Sequence, residues 1–304
     1  MRSDRARCAE VCAVSVLACV AALSCEDSTT PLPSVGVPAF VYVRDSAGYA
    51  GLVRYKDGQS TPLTSGSANT QPQSASSRLV FTSERDGYPQ VYISDLDVAT
   101  PHRVTNSGSF DDAPSLSPPA DSIVFVSSRT GVPRLWEIVA PALDATSFDS
   151  AFELTTGSAE YTPEDAPVWS PRGGKIAFSS VRSGNSQIYV VASGGENATL
   201  ITNESGGAFQ PAWSADGQSI YYIAATPGYA LREVPAAGGQ ATTIVQGSAL
   251  AAGPASCNSA VCLFSTGFNT ASGNMSYVPA AGGPTQIVFP RTAAQERQPA
   301  IIVP

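Results

Sequence analysis

The chain repeats itself, and the repeat constrains the fold more than any other feature. "DAPVWSPRGGKIAFSS" (165–180) aligns without a gap with "FQPAWSADGQSIYYIA" (209–224) and with "DAPSLSPPADSIVFVS" (112–127). Two shortened copies, "TQPQSASSRLVFTS" (70–83) and "AGPASCNSAVCLFS" (252–265), keep the same Pro, as does a final fragment, "RQPAIIVP" (297–304). The anchors Pro72, Pro114, Pro167, Pro211, Pro254 and Pro299 are spaced by 42, 53, 44, 43 and 45 residues. After each full copy come a Gly-containing turn ("VRSGNS"), a second apolar run ("QIYVV") and a last short one ("ATLIT"). Four short strands in a period of about 40–50 residues make a propeller blade. A lone four-stranded sheet with two apolar faces cannot stand in water; blades packed face to face around an axis bury one another.

The ends fix the number of blades. Residues 39–64 carry the second, third and fourth runs of the unit without a first, and the last fragment carries only a first. Pairing 298–304 beside 39–44 completes one blade, joins the ends of the ring and covers two open edges. The fold class is therefore all-β: a six-bladed β-propeller of four-stranded blades closed by the C-terminal strand. The blades span about 38–66 plus 297–304, 67–108, 109–157, 158–205, 206–248 and 249–290, with a loop insertion at 141–151 lengthening the third. Composition agrees: 26 Gly and 24 Pro cut the apolar residues into runs too short for long amphipathic helices.

The formal charge is −8, Lys56 and Lys175 are the only lysines, and no Lys/Arg cluster follows the first seven residues. A nucleic-acid partner is disfavoured. The N-terminus has the form of an export signal, with Arg2, Arg5 and Arg7 ahead of an apolar stretch, Val11 to Ser24, that is short for a bilayer span. "ALSC" (Ala22–Cys25) resembles the bacterial lipoprotein signal, although that family prefers Leu where Ala22 stands. The resemblance implies cleavage after residue 24 and lipid modification of Cys25; the aperiodic, Pro-containing stretch to residue 37 then reads as a tether (25–37) ahead of the propeller over 38–304. The resemblance places the protein at the outer membrane, in the periplasm or on the cell surface. "VLAC" (16–19), an ordinary secretory cut near residue 24 and an uncleaved anchor are the alternatives. Export leaves Cys257 and Cys262 as an even pair with four residues between them at a hairpin turn, where a disulfide clip is expected.

The repeat consensus, Asp-x-Pro-x-Trp-Ser-Pro-x-Gly-x-x-Ile-x-Phe-x-Ser followed by Arg-x-Gly-Asn and Gln-Ile-Tyr, resembles the TolB-type propeller repeat. Asp165, Pro167, Trp169, Ser170, Pro171, Gly173, Ile176, Phe178, Ser180, Arg182, Gly184, Gln187, Ile188 and Tyr189 carry it. The likeness covers about 38–304. TolB-type proteins place an α/β domain ahead of the propeller, for which residues 26–37 leave no room, so a free-standing propeller lipoprotein is expected.

Gly173-Gly174-Lys175 lacks the earlier Gly and the following Ser/Thr of a phosphate loop and reads as a hairpin turn. Trp169 and Trp213 share a slot that Leu116 fills in a third copy, which marks inter-blade core. Arg85, Arg129 and Arg182 recur in equivalent turns, where they are expected to bind loop carbonyls or a neighbouring blade's carboxylate. His102, the only His, reads as a surface-loop residue; no Gly-x-Ser-x-Gly occurs. Asp111, Asp112, Glu164, Asp165, Glu296 and Arg297 stand just before the anchor prolines, where the first strands of a propeller converge on one mouth of its channel. Those carboxylates have four readings: bonds to backbone amides of the turn, attraction of a basic peptide, acid/base work on a sugar, or a cation such as a structural Ca²⁺ between Asp112 and Asp165. No other cofactor or metal is indicated. The sequence reading is a monomeric, membrane-anchored binding module for an envelope protein, peptide or glycan rather than an enzyme. The alternative is a glycan hydrolase or lyase; similar propeller lyases use several His, and this chain has one.

Overall fold

The computed structural model describes residues 36–302 except 47–48, 66–67, 99, 143–149, 156–161, 226–227, 248–255, 267–273, 281, 283–284 and 289–294. The signal segment, Cys25 and most of the tether lie outside the described residues. The described chain forms six sheets of four antiparallel strands, and no helix in it is long and apolar enough to cross a membrane. In five blades the strands follow chain order. In the first, the C-terminal strand Gln295–Ile301 pairs with Phe40–Ser46, so the ring closes as its two half-blades require.

Each sheet buries both faces. Along Arg78–Ser83, Leu79 and Phe81 pack toward blade 1 while Val80 packs toward blade 3. This is the two-residue alternation of a strand sandwiched between neighbours. Six apolar clusters result, each drawn from two consecutive blades, including one between blades 6 and 1 that holds Leu263 and Met275 against Phe40 and Tyr42. Trp169 and Trp213 belong to the clusters joining blades 3 to 4 and 4 to 5, the inter-blade role their shared slot predicts.

The innermost strands are not plain. In five of them the residue before the anchor Pro takes a left-handed conformation: Gln71, Ala113, Ala166, Gln210 and Gln298 have φ between 48° and 54°. That region is uncommon for residues with a side chain. Pairing shifts at the same place, between Thr70 and Gln73, Asp112 and Ser115, Asp165 and Val168, Phe209 and Ala212, and opposite Val41 and Val43. Two residues therefore face one, which is a β-bulge. The one they face is always aromatic and fully buried: Phe81, Phe125, Phe178, Tyr222 or Tyr42. Pro fits here because the free edge of an innermost strand faces the channel and needs no N–H for a ladder.

Gly173 and Gly174 turn the hairpin of blade 4, both at φ 71°, with Ser170 N–H bonded to the Lys175 carbonyl at 2.9 Å. A Cβ at either would meet nothing within 4 Å, so the turn's conformation, not space, demands Gly. His102 is not in a loop: it pairs with Ile93 in the outermost strand of blade 2, half-buried.

Candidate functional site at the channel mouth

Three positions precede each left-handed residue or its Pro, and the strand's alternation sorts them. The acid three residues before Pro points into the blade; the one two residues before Pro faces the channel. The mouth therefore does not gather four carboxylates.

Asp111 and Glu164 are the inward pair, each essentially without solvent exposure. Arg129 Nη2 donates to both Asp111 oxygens at 3.2 Å, its Nε donates to Ser127 Oγ at 2.9 Å, and Ser107 Oγ donates to Asp111 Oδ2 at 2.7 Å. The guanidinium lies 5.6 Å from the Phe125 ring centre and 4.5 Å from that of Trp136. Blade 4 repeats the arrangement with Arg182 on Glu164 and over Phe178 and Tyr189, and blade 2 with Arg85 on Asn69 and over Phe81 and Tyr92. The three recurrent Arg thus bind an acid or amide of their own blade and a Ser hydroxyl. Buried charge is stable here because each partner is both paired and hydrogen-bonded. Glu164 also ties blade 4 to blade 3: it accepts from Leu135 N–H at 2.9 Å and from Thr155 Oγ1, and Arg134 lies 3.9 Å away. Burial still pushes its carboxyl upward against those four contacts.

Asp112 and Asp165 are the channel pair. Asp165 Oδ1 accepts from Ala166 N–H at 2.7 Å, the backbone-amide bond expected of an Asp in this slot. The reason lies in blade 3. Gln298 Oε1 takes the Gln71 N–H at 2.9 Å, and Gln71 Oε1 takes the Ala113 N–H at 2.9 Å, so these two left-handed amides are each capped by the previous blade's side chain. Ala113 has no amide to offer, and Asp165 caps Ala166 itself. Asp112 has no such duty: among the described residues no donor reaches its carboxylate. It is half-buried, and its pKa is pushed up to about 7, chiefly by burial and then by the charges of Asp165 and Asp111. Asp165 has exposed surface yet is enclosed by the channel wall, and its carboxyl is raised by the same loss of water.

Thr70 and Phe209 fill the equivalent slot in blades 2 and 5. Glu296 and Arg297 are paired with Arg44 and Val43 in the ring-closing strand, but their side chains lie outside the described residues. No group of three or more candidate metal ligands forms among the described residues. Beside the acids, Tyr88 and Phe110, each 56% exposed, pack edge to face at 6.3 Å. Nothing in the sequence singles them out: Tyr88 lies in the turn between the second and third strands of blade 2, before Pro89, and Phe110 in the connection to blade 3, before Asp111. At the far end of the channel lies a cavity of about 830 Å³, lined by all six blades and including Trp169 and Trp213. Cys257 and Cys262, directly opposed across the first hairpin of blade 6, form a disulfide with Cα atoms 4.1 Å apart; Cys257 reaches the cavity wall.

The solved structures similar to this chain share its fold. TolB from Acinetobacter baumannii is 20% identical with a TM-score of 0.72, over 86% of this chain and 66% of that one. A TolB of Agrobacterium tumefaciens is 19% identical with a TM-score of 0.58, over 73% and 85%. A puromycin-hydrolysing peptidase of Mycobacterium tuberculosis is 13% identical with a TM-score of 0.58, over 84% of this chain and 44% of the peptidase. No curated protein matches. The TolB beta propeller domain matches residues 149–301, half of the sequence. The chain belongs to the TolB beta propeller domain family.

Proposed function

We propose that this propeller is an exported, lipid-anchored binding module of the bacterial envelope, and that its acidic channel mouth receives the basic part of a protein or peptide partner. The observation that carries this is Asp112: a half-buried carboxylate with no donor, beside a second carboxylate, at the end of a channel. An uncompensated charge in such a place is costly for the fold and is best explained by a partner that brings the missing cation. Tyr88 and Phe110 supply exposed aromatic surface at the rim, of the kind enriched in interfaces. Family membership supports a binding role in the envelope. Asp111 and Glu164 are locked by Arg129 and Arg182, which takes them out of acid/base chemistry and weakens the hydrolase or lyase reading. A Ca²⁺ between Asp112 and Asp165 is the inorganic version of the same proposal.

The test is a pulldown from native envelope with wild type and with Asp112→Asn/Asp165→Asn. Loss of captured proteins from a variant that still melts cooperatively supports the mouth. Unchanged capture, or glycan turnover abolished by the same change, refutes it. A Ca²⁺-dependent rise in Tm, lost in the variant, assigns the cation. Incorporation of a clickable fatty acid, lost in Cys25→Ala, tests the anchor separately.

A further inference from the structure

The cavity at the opposite end of the channel differs in kind from the mouth. Its volume, about 830 Å³, is that of a site for a small organic molecule. Its bed is apolar: Leu116, Trp169, Trp213, Pro171 and Ile301 come from four blades. Its hydroxyls are largely taken already, by the next blade's backbone or by the hairpin turns. Ser115 Oγ accepts from Trp169 N–H at 3.1 Å, Ser170 Oγ from Arg172 N–H at 3.3 Å, and Ser214 Oγ donates to Asp216 at 2.7 Å. The wall therefore offers mostly hydrocarbon contact, and the buried Trp169 indole N–H is left as a donor without a partner among the described residues.

Charge is distributed with equal bias. The chain has 25 acidic against 17 basic residues, yet no Asp or Glu lines this cavity. Its only charged lining groups are Arg54 and Lys56, on the strand Tyr49–Lys56, the third from the channel in blade 1. Arg54 is engaged by Asp97. Lys56, one of two lysines in the chain, is exposed and has no ion pair or hydrogen bond among the described residues.

We infer that this cavity binds a small amphipathic carboxylate, its apolar body on the Trp169–Trp213 bed and its anionic head at Lys56. The site is independent of the acidic mouth and of any partner held there. Charge complementarity selects the head: an anion meets a free ammonium and no carboxylate, whereas a cation finds no counter-charge. Depth and apolarity select the body.

The protein carries its own reporter, because two of its three tryptophans line the cavity. The experiment titrates the purified full chain with dodecanoate below its micellar concentration and follows tryptophan emission, with dodecanol and dodecyltrimethylammonium as head-group controls. Dodecanoate should give a saturable change that persists in Trp136→Phe. Lys56→Glu, at an exposed position where folding is not at stake, should weaken dodecanoate about tenfold and leave dodecanol unchanged. Absence of a saturable response to dodecanoate overturns the proposal. So does equal binding of the cationic amphiphile, or dodecanoate affinity indifferent to Lys56→Glu. Asp112→Asn/Asp165→Asn should leave this titration untouched, which keeps its outcome separate from that of the mouth.

Discussion

Replacing Asp112 by Asn should make the protein more stable, and more so as pH rises. The Asp112 carboxyl is pushed up to about 7, first by burial and then by Asp165 and Asp111. An unfolded Asp titrates near 3.9, so the shift of about three units corresponds to a ceiling of about 4 kcal/mol. Water at the mouth reaches this half-buried group, which reduces the figure to about 2 kcal/mol. Between about pH 4 and 7 the folded state holds a proton that the unfolded state has released. Stability is therefore full below the unfolded value and falls as pH rises through the folded one. Asn carries no charge to bury and removes that slope. In a protein of this size the gain is about 5 °C in Tm at pH 8, shrinking to nearly nothing at pH 4. Scanning calorimetry of both proteins from pH 4 to 8 measures it. Asp165→Asn should gain less, since the Ala166 N–H already compensates part of the Asp165 charge and bonds an amide oxygen more weakly, and the double variant should gain less than the sum because the two charges repel. A variant equally stable at every pH, or less stable than wild type at pH 8, would refute the electrostatic reasoning.

Three further outcomes follow from the packing. Arg129→Ala strands the buried Asp111 carboxylate and should cost about 3–5 kcal/mol in denaturant unfolding, whereas Asp111→Ala/Arg129→Ala should recover part of that; strictly additive losses would show that the pair is not coupled. Gln71→Ala uncovers the Ala113 N–H at the channel and should cost about 1–3 kcal/mol, visible as faster hydrogen exchange at Ala113; unchanged exchange there would remove the inter-blade cap. Gly195 sits at φ +79° with a would-be Cβ 1.8 Å from the Leu154 carbonyl oxygen of the preceding blade, so Gly195→Ala should destabilise by several kcal/mol; a near-neutral melt would mean that the two blades separate freely at that turn.

Blade number and ring closure were legible because they follow from a period and from two complementary half-units, neither of which depends on side-chain detail. The partners of the recurrent Arg were half legible. Asn69 with Arg85, Asp111 with Arg129 and Glu164 with Arg182 occur in the same blades, and where Ala208 replaces the acid the turn has no Arg. Reading those positions together would have assigned the acids to their own blades. What the sequence hides is the bulge. A residue before Pro normally stays in the extended region, so nothing in Gln-Pro or Ala-Pro announces a left-handed turn. The cause is tertiary: a fully buried aromatic on the second strand takes the space of one pairing position. The cavity was hidden for a related reason. Its wall is made of core residues, and Trp169 and Trp213 serve as core and lining at once.

The bulge also decides which acids are available to a partner. Without the extra residue, alternation would run unbroken from the mouth to the cavity. With it, Asp111 and Glu164 turn inward to Arg, and Asp112 and Asp165 are left facing the channel. The two channel acids are then made unequal by the neighbour that precedes each. Blade 2 offers Gln71, which caps Ala113 and leaves Asp112 with nothing to hold; blade 3 offers Ala113, which caps nothing and commits Asp165 to Ala166. An Ala113→Gln exchange should therefore move the cap to blade 3, release Asp165 from its amide and place a second uncommitted carboxylate at the mouth. If the mouth binds cationic groups, that variant should bind them more tightly than wild type and be less stable at pH 8. Tighter binding without loss of stability, or the reverse, would separate the channel acids from the role proposed for them.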